Sequence, residues 1–141
     1  MLGAALPARA QEAQAYSVPF TVHAERTAIM VDAVAAGRHL RLVVDTGSKV
    51  TILHHLSVGL SNVELVRART AGAATRGTAL ALTTKIELGP LSRERTVAAM
   101  DLSELQRLFK ERVDGILGMD VLMDCGTVRI DFQARTLHCG K

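Results

Sequence analysis

Leu42-Val43-Val44-Asp45-Thr46-Gly47-Ser48 is the stretch from which the rest of the chain is read. Three apolar residues run straight into a carboxylate, and a hydroxyl residue, a glycine and a second hydroxyl follow. Leu42 to Val44 read as a buried strand, with Asp45 at its end and Gly47 giving the backbone freedom for a sharp turn. A carboxylate at the end of a buried strand is costly unless something donates hydrogen bonds to it. Thr46, Ser48 and the N–H groups of the turn are the nearest donors. Val50-Thr51-Ile52-Leu53 reads as the strand that leaves the turn. Some seventy residues on, Val113-Asp114-Gly115-Ile116-Leu117-Gly118 repeats the pattern of an apolar pair closed by glycine.

The whole chain bounds the reading. Its 141 residues make one domain, large enough to bury roughly two-thirds of its unfolded surface. Apolar residues make up 48%, but only three Phe, one Tyr and no Trp are present. Val, Ile, Leu and Thr must therefore fill the interior, and these residues suit strands. The net charge of +3 permits nucleic-acid binding. The basic residues are scattered, however, and do not interleave with aromatics, so no nucleic-acid partner is expected. No run approaches the ~20 apolar residues of a membrane span.

In chain order, residues 1–15 are alanine-rich, and Leu2-Gly3-Ala4-Ala5-Leu6 followed by Ala8-Arg9-Ala10 resembles the end of a secretory signal with its A-x-A cleavage site. The segment is either a clipped signal, implying a periplasmic or secreted protein, or a disordered tail; a cytoplasmic location stays open. Either way the domain starts at residue 16. Ser17 to Thr21 and Ala28 to Ala35 read as strands. Ala36-Gly37 turns the chain, and His39 to Val44 returns, so a hairpin delivers Asp45. His54 to Ser61 is a polar connection with room for one helical turn. Val63 to Thr70 and Thr78 to Leu88 alternate, with Ala71-Gly72-Ala73-Ala74-Thr75-Arg76-Gly77 between them as a small-residue hairpin tip. Gly89-Pro90 is a turn and Thr96 to Met100 a strand. Asp101-Leu102-Ser103-Glu104 has capping-box character before Leu105, Leu108 and Phe109, which predicts a short helix over 102–111. Val113 to Leu117 is a buried strand, Met119 to Met123 a short turn or helix, and Thr127 to Phe132 with Thr136 to Cys139 a closing hairpin. The count is eight or nine short strands and one or two small helices, an all-β barrel-like domain.

Asp45-Thr46-Gly47-Ser48 and Ile116-Leu117-Gly118 together resemble the aspartic protease superfamily, from Phe20 to Cys139, in the order and length of its small single-lobe, retropepsin-like bacterial members. The first matches the Asp-Thr-Gly catalytic loop. The second matches the apolar-apolar-Gly segment that crosses behind that loop in a psi-shaped motif. The resemblance implies a retropepsin-like closed barrel and a peptide or protein substrate, with no cofactor. It makes Gly72, Ala73, Ala74, Thr75, Arg76 and Gly77 the flap that folds over substrate. Lacking the flap tyrosine of the pepsin type, this flap would work by backbone contacts.

Family chemistry uses two carboxylates that share a proton and a water. Like charges at close range push the two pKa values apart, so one group is acid and the other base at the same pH. This chain offers one good candidate. Asp124-Cys125-Gly126 has a similar outline but lies too close to Gly118 for a second lobe. Asp32 lacks a following hydroxyl and glycine, Asp101 starts a helix, and Asp114 reads as a structural turn acceptor. The second carboxylate is then Asp45 of a symmetry mate in an isologous homodimer. By resemblance, Thr46 would hydrogen-bond across the axis, Gly47 would offer its backbone to substrate, and Ser48 would hold the outer oxygen of Asp45. Dimer contacts would come from the segments Tyr16 to Phe20 and Thr136 to Cys139.

Several residues stand apart from this reading. Lys49 departs from the small, hydroxyl or acidic residue usual after the motif; it either adds positive potential to the substrate groove or pairs with Asp120. His54-His55 lie side by side, adjacent strand residues point opposite ways, and no CxxC or HExxH spacing accompanies them, so no metal is expected. Cys125 and Cys139 either bridge or remain thiols, since simple hairpin pairing sets Cys139 opposite Val128. The sequence therefore reads as an aspartic endopeptidase, with a catalytically silent peptide- or partner-binding module of the same fold as the alternative.

Overall fold

The computed structural model describes residues 15–62, 64, 75–76 and 79–140, with the backbone alone for 75–76. The expected tail and the strand expected over 63–70 lie outside the described residues, apart from Ala15 and Glu64. The strands are β1 (Tyr16–Val22), β2 (Ile29–Ala35), β3 (Arg38–Val44), β4 (Ile52–His54), β5 (Thr75–Arg76), β6 (Ala79–Leu88), β7 (Leu91–Met100), β8 (Gly115–Leu117), β9 (Thr127–Asp131) and β10 (Thr136–Gly140). Two short helices, α1 (Ser103–Phe109) and α2 (Met119–Leu122), flank β8. Hydrogen bonding runs β6-β7-β4-β8-β3-β2 and returns from β2 to β6, which closes a six-stranded barrel; β1, β10 and β9 extend the sheet from β2.

The β2–β3 hairpin forms as the sequence pattern predicts. Met30 faces Val43 and Ala35 faces Arg38 across it. Ala36 and Gly37 have φ of +52° and +69°, the left-handed pair that a tight hairpin between right-twisted strands requires. Leu42 and Val31 point into the main core with Leu53, Ile86, Leu117 and Leu137, all fully buried. Each such side chain contributes about 1.5–3 kcal/mol relative to exposure. On the opposite face, Phe109 and Leu105 of α1 pack on Met30, Val43 and Val113. The helix therefore sits against the outside of the β2–β3 hairpin.

Two expectations need correction. β7 begins at Leu91 rather than Thr96, pairing with β6 from Leu88↔Leu91 through Leu80↔Ala99. Its polar start, Ser92-Arg93-Glu94-Arg95, lies on a long hairpin whose cross-strand partners include Lys85, opposite Glu94. Helix α1 spans Ser103–Phe109, and its Leu102 N-cap makes no side-chain cap. Instead the Asp101 carboxylate accepts the Ser103 N–H at 2.9 Å and the Ser103 hydroxyl. Lys110, left-handed at φ +55°, ends the helix. The two terminal segments expected at a dimer contact pair with each other inside the chain, Tyr16↔Cys139 to Pro19↔Thr136, and β9 occupies the other edge of β10.

Cys139 does stand opposite Val128, as the hairpin register predicts. It nevertheless bridges Cys125, with 4.9 Å between the Cα atoms. The 3-10 turn Met123–Cys125 and Gly126 at φ +77° fold the chain back onto β10 just before β9 starts. Among the described residues no helix is long and apolar enough to cross a membrane.

Candidate active site

The site is built where three short strands meet. β8 lies between the strand entering the Asp45 turn and the strand leaving it. It pairs in parallel with β3, Val43↔Ile116 and Val44↔Leu117, and antiparallel with β4, Ile52↔Ile116 and Leu53↔Gly115. This crossing leaves no room for side chains at two points. A Cβ on Gly115 would stand 2.4 Å from the Ile52 carbonyl oxygen, and one on Gly118 would stand 2.7 Å from Val50 backbone atoms and 2.9 Å from the Ser48 carbonyl oxygen.

Asp45 sits at the head of this crossing, exposed to solvent. Its N–H donates to the Leu117 carbonyl at 3.0 Å, which continues the β3–β8 ladder past the end of the strand. The Gly47 N–H donates to Asp45 Oδ1 at 2.8 Å, and the Ser48 N–H reaches the Asp45 carbonyl at 3.2 Å. The Ser48 hydroxyl does not take the role the resemblance gave it. It donates to the Val50 carbonyl at 2.7 Å, because the tight turn aims it forward along the chain. Thr46 is exposed and its hydroxyl has no hydrogen bond among the described residues.

Val43, Ile52 and Ile116 stand in register across β3, β8 and β4, and each is half-buried. Val43 lies two residues ahead of Asp45 in the strand that enters the turn. Beside Ile116 an open groove of about 520 Å³ runs under α1, walled by Met100, Leu102, Leu105 and Leu108. Of the expected flap, Thr75 and Arg76 form β5, with Arg76 opposite Ala79. They already belong to a paired strand rather than to a free tip. Gly72, Ala73, Ala74 and Gly77 lie outside the described residues.

The turn is locked from behind by two residues the motif reading gave no role in that lock. Thr51 is fully buried. Its hydroxyl donates to Asp120 Oδ1 at 2.6 Å and accepts the Gly118 N–H at 3.0 Å, and its N–H reaches both Asp120 oxygens at 3.0 and 2.9 Å. The signal was a lone hydroxyl inside the apolar run 50–53. With its carboxylate so occupied, Asp120 forms no ion pair with Lys49; it meets Lys49 only through the backbone, Asp120 N–H to Lys49 carbonyl at 3.2 Å. Asp114 is the structural acceptor expected of it. Buried at 4% exposure, it takes the Arg41 N–H at 2.8 Å, the Ser57 hydroxyl at 2.7 Å and Arg112 Nε at 2.8 Å.

The structure does bring the two histidines together. His54 ends β4 and His55 opens the following 3-10 turn, so strand alternation no longer separates them, and their rings lie 4.9 Å apart. With Asp101 they place three potential ligand atoms within 4.8 Å of one another. Proton placement argues against a metal. His54 Nδ1 accepts the Leu102 N–H at 3.0 Å, so the neutral ring carries its proton on Nε2 and has no second lone pair. His55 Nδ1 donates to the Leu60 carbonyl at 2.8 Å, leaving Nε2 as the only free imidazole acceptor. One imidazole and one exposed carboxylate fall short of the three protein ligands of a typical zinc site.

Comparison with known proteins finds the same fold. A retropepsin-like aspartic protease from Rickettsia conorii superposes with a TM-score of 0.59 at 17% identity, covering 89% of this chain and 90% of that one. The retroviral protease-like domain of Ddi1 from Leishmania major (TM-score 0.46, 18% identity, 77% and 84% covered) and the EIAV protease complexed with the inhibitor HBY-793 (0.46, 14%, 76% and 96%) are also similar. No curated protein sequence matches the chain. The sequence model of the aspartyl protease family matches residues 31–121, which takes in the hairpin, the Asp45 turn and the whole crossing segment. On that match, over more than half its length, and on its retropepsin-like fold, the chain belongs to the aspartyl protease family.

Proposed function

We propose that this protein is an aspartic endopeptidase whose active unit is a homodimer, with Asp45 of each protomer forming the catalytic dyad. The observation that carries the reading is the state of Asp45 in the single chain. It is exposed at the tip of the crossed turn, and its one side-chain hydrogen bond among the described residues is the Gly47 N–H on Oδ1. One protomer presents half of a dyad, and a twofold axis between two such turns supplies the other half. The ionised carboxylate then takes a proton from the water between the pair, and that water attacks the peptide carbonyl. The protonated carboxylate donates to the developing oxyanion, so the two titrate as one unit. An extended peptide fits as an added strand, with the Val43, Ile52 and Ile116 face beneath it. The Cys125–Cys139 bridge supports an oxidising compartment, the periplasm or the cell exterior.

The test joins oligomeric state to peptide cleavage, for wild type and Asp45→Asn, from acidic to neutral pH. A dimer that cuts peptides, with cutting lost and dimerisation kept in Asp45→Asn, is the expected result. A monomer without cleavage at any pH or concentration would leave a binding module with an inherited turn.

A further inference from the structure

We infer that Asp120 is a positioning residue for Asp45, acting through Thr51 to set the catalytic turn. The inference rests on the protease reading for its catalytic consequence, and on hydrogen bonding alone for its geometry.

A shared proton between two carboxylates demands that each turn hold its place closely, since a misplacement of about 1 Å costs on the order of a hundredfold in rate. The turn's own side chains do little of this. Ser48 bonds forward to Val50 and Thr46 bonds nothing in the chain among the described residues. The crossing segment does the holding. Leu117 accepts the Asp45 N–H at 3.0 Å, the Met119 N–H reaches the Ser48 carbonyl at 2.8 Å, and the Asp120 N–H reaches the Lys49 carbonyl at 3.2 Å. These three bonds fix the turn along its length, and the return strand is fixed at Thr51.

At Thr51 the direction of every proton is determined. A carboxylate only accepts, so the Thr51 hydroxyl must spend its single hydrogen on Asp120 at 2.6 Å. Its lone pairs are then left for the Gly118 N–H at 3.0 Å. The relay runs from the Gly118 N–H through the Thr51 hydroxyl to the carboxylate, and charge strengthens each link. The Val121 N–H, at 2.8 Å on the same Oδ1, holds Asp120 to the start of α2. Gly118 is in backbone contact with Val50 and Ser48. A shift of the crossing segment therefore cannot be absorbed locally and passes to the turn that carries Asp45. Lys49 is exposed, and among the described residues it forms no ion pair with Asp120.

The experiment compares wild type with Asp120→Ala, Asp120→Asn, Thr51→Val and Thr51→Ser, by peptide cleavage and by amide hydrogen exchange. Asp120→Ala and Thr51→Val are expected to lower kcat about ten- to a hundredfold with KM changed less than about threefold. Asp120→Asn keeps an oxygen for the Thr51 hydroxyl and Thr51→Ser keeps the hydroxyl, so both are expected to recover most of kcat. Exchange at the Ser48 and Met119 amides is expected to quicken in the two disruptive variants and to stay near wild type in the two conservative ones. Folded Asp120→Ala with wild-type kcat, or unchanged exchange at Ser48, would overturn the assignment. If wild type itself cleaves nothing, the protease reading fails while the exchange comparison still decides whether Asp120 sets the turn.

Discussion

His54 accepts the Leu102 N–H on Nδ1 at 3.0 Å, and this bond ties the end of β4 to the start of α1. A ring that accepts on one nitrogen must be neutral there, so protonation breaks the tie. The site favours the neutral ring: burial, and then the neighbouring His55, lower the His54 pKa below 6.5, and Asp101, the Met100 carbonyl and Asp114 only partly offset them. The unfolded chain therefore binds more protons than the folded one in the interval below 6.5. The stabilisation is present above that pH and is lost as pH falls toward the lowered folded value.

The expected outcome is an acid-side loss of stability that starts near pH 6.5, with a slope of at most about 1.4 kcal/mol per pH unit. His54→Gln, whose amide oxygen can accept the Leu102 N–H, is expected to flatten it. Urea midpoints at several pH values, for both proteins, measure this. Parallel curves for the two would show that His54 is not the titrating group.

The two glycines of the crossing predict a steric cost. Alanine at Gly118 would press its Cβ against Val50 and Ser48 backbone, and alanine at Gly115 would meet the Ile52 carbonyl at 2.4 Å. Backbone cannot rotate away as a side-chain tip can. Each substitution is expected to destabilise by about 3 kcal/mol or more. Gly37→Ala is a control of a different kind, since nothing lies within 4 Å of its Cβ and only its φ of +69° is strained; about 1–2 kcal/mol is expected there. Equal losses at all three positions, measured by chemical denaturation, would refute the close-approach argument.

The Cys125–Cys139 bridge joins residues 14 apart. In the loop-entropy account a link of this length stabilises by about 3 kcal/mol, or roughly 10 °C in melting temperature for a domain of this size. The double Cys→Ser variant is expected to melt lower by that amount, and reductant is expected to bring wild type down to the same level. A wild-type melting temperature indifferent to reductant would mean that the bridge contributes nothing in solution.

These features differ in how far the sequence discloses them. The Asp45 turn, the hairpin that delivers it and the crossing at Ile116-Leu117-Gly118 are legible because each is local. An apolar run, a turn residue or a glycine pair marks them within a few positions. The Thr51–Asp120 lock is not local: its residues are 69 apart, and neither departs from ordinary composition. The closeness of His54 and His55 is hidden for another reason, because alternation holds inside a strand and fails at its last residue. The start of β7 is hidden because Arg93 and Arg95 occupy the same side as buried Leu91 and Val97, which breaks the apolar alternation that marks a strand. The Ser48 hydroxyl shows the limit of carrying a role over by position. Its acceptor is set by the aim of one turn, which a four-residue match does not specify.

Asp114 supplies the last prediction, because it is the acid most easily confused with Asp45. Each follows a valine and has a glycine within two residues, but their surroundings are opposite. Asp45 is exposed with one side-chain hydrogen bond among the described residues, whereas Asp114 is buried and accepts from Arg41, Ser57 and Arg112. Asp114→Ala leaves the Arg41 N–H and the Ser57 hydroxyl without their acceptor. Arg112, itself largely exposed, loses little. The expected cost is about 2–3 kcal/mol. Asp114→Asn is expected to cost about 1 kcal/mol, since its oxygen keeps the Arg41 N–H and its amide can donate to a reoriented Ser57 hydroxyl. Paired measurements of urea stability and peptide cleavage separate the two acids. Asp114→Asn should lose stability and keep cleavage, and Asp45→Asn should do the reverse. Loss of cleavage in a stably folded Asp114→Asn protein would place this buried acid in the chemistry and undo the assignment of roles.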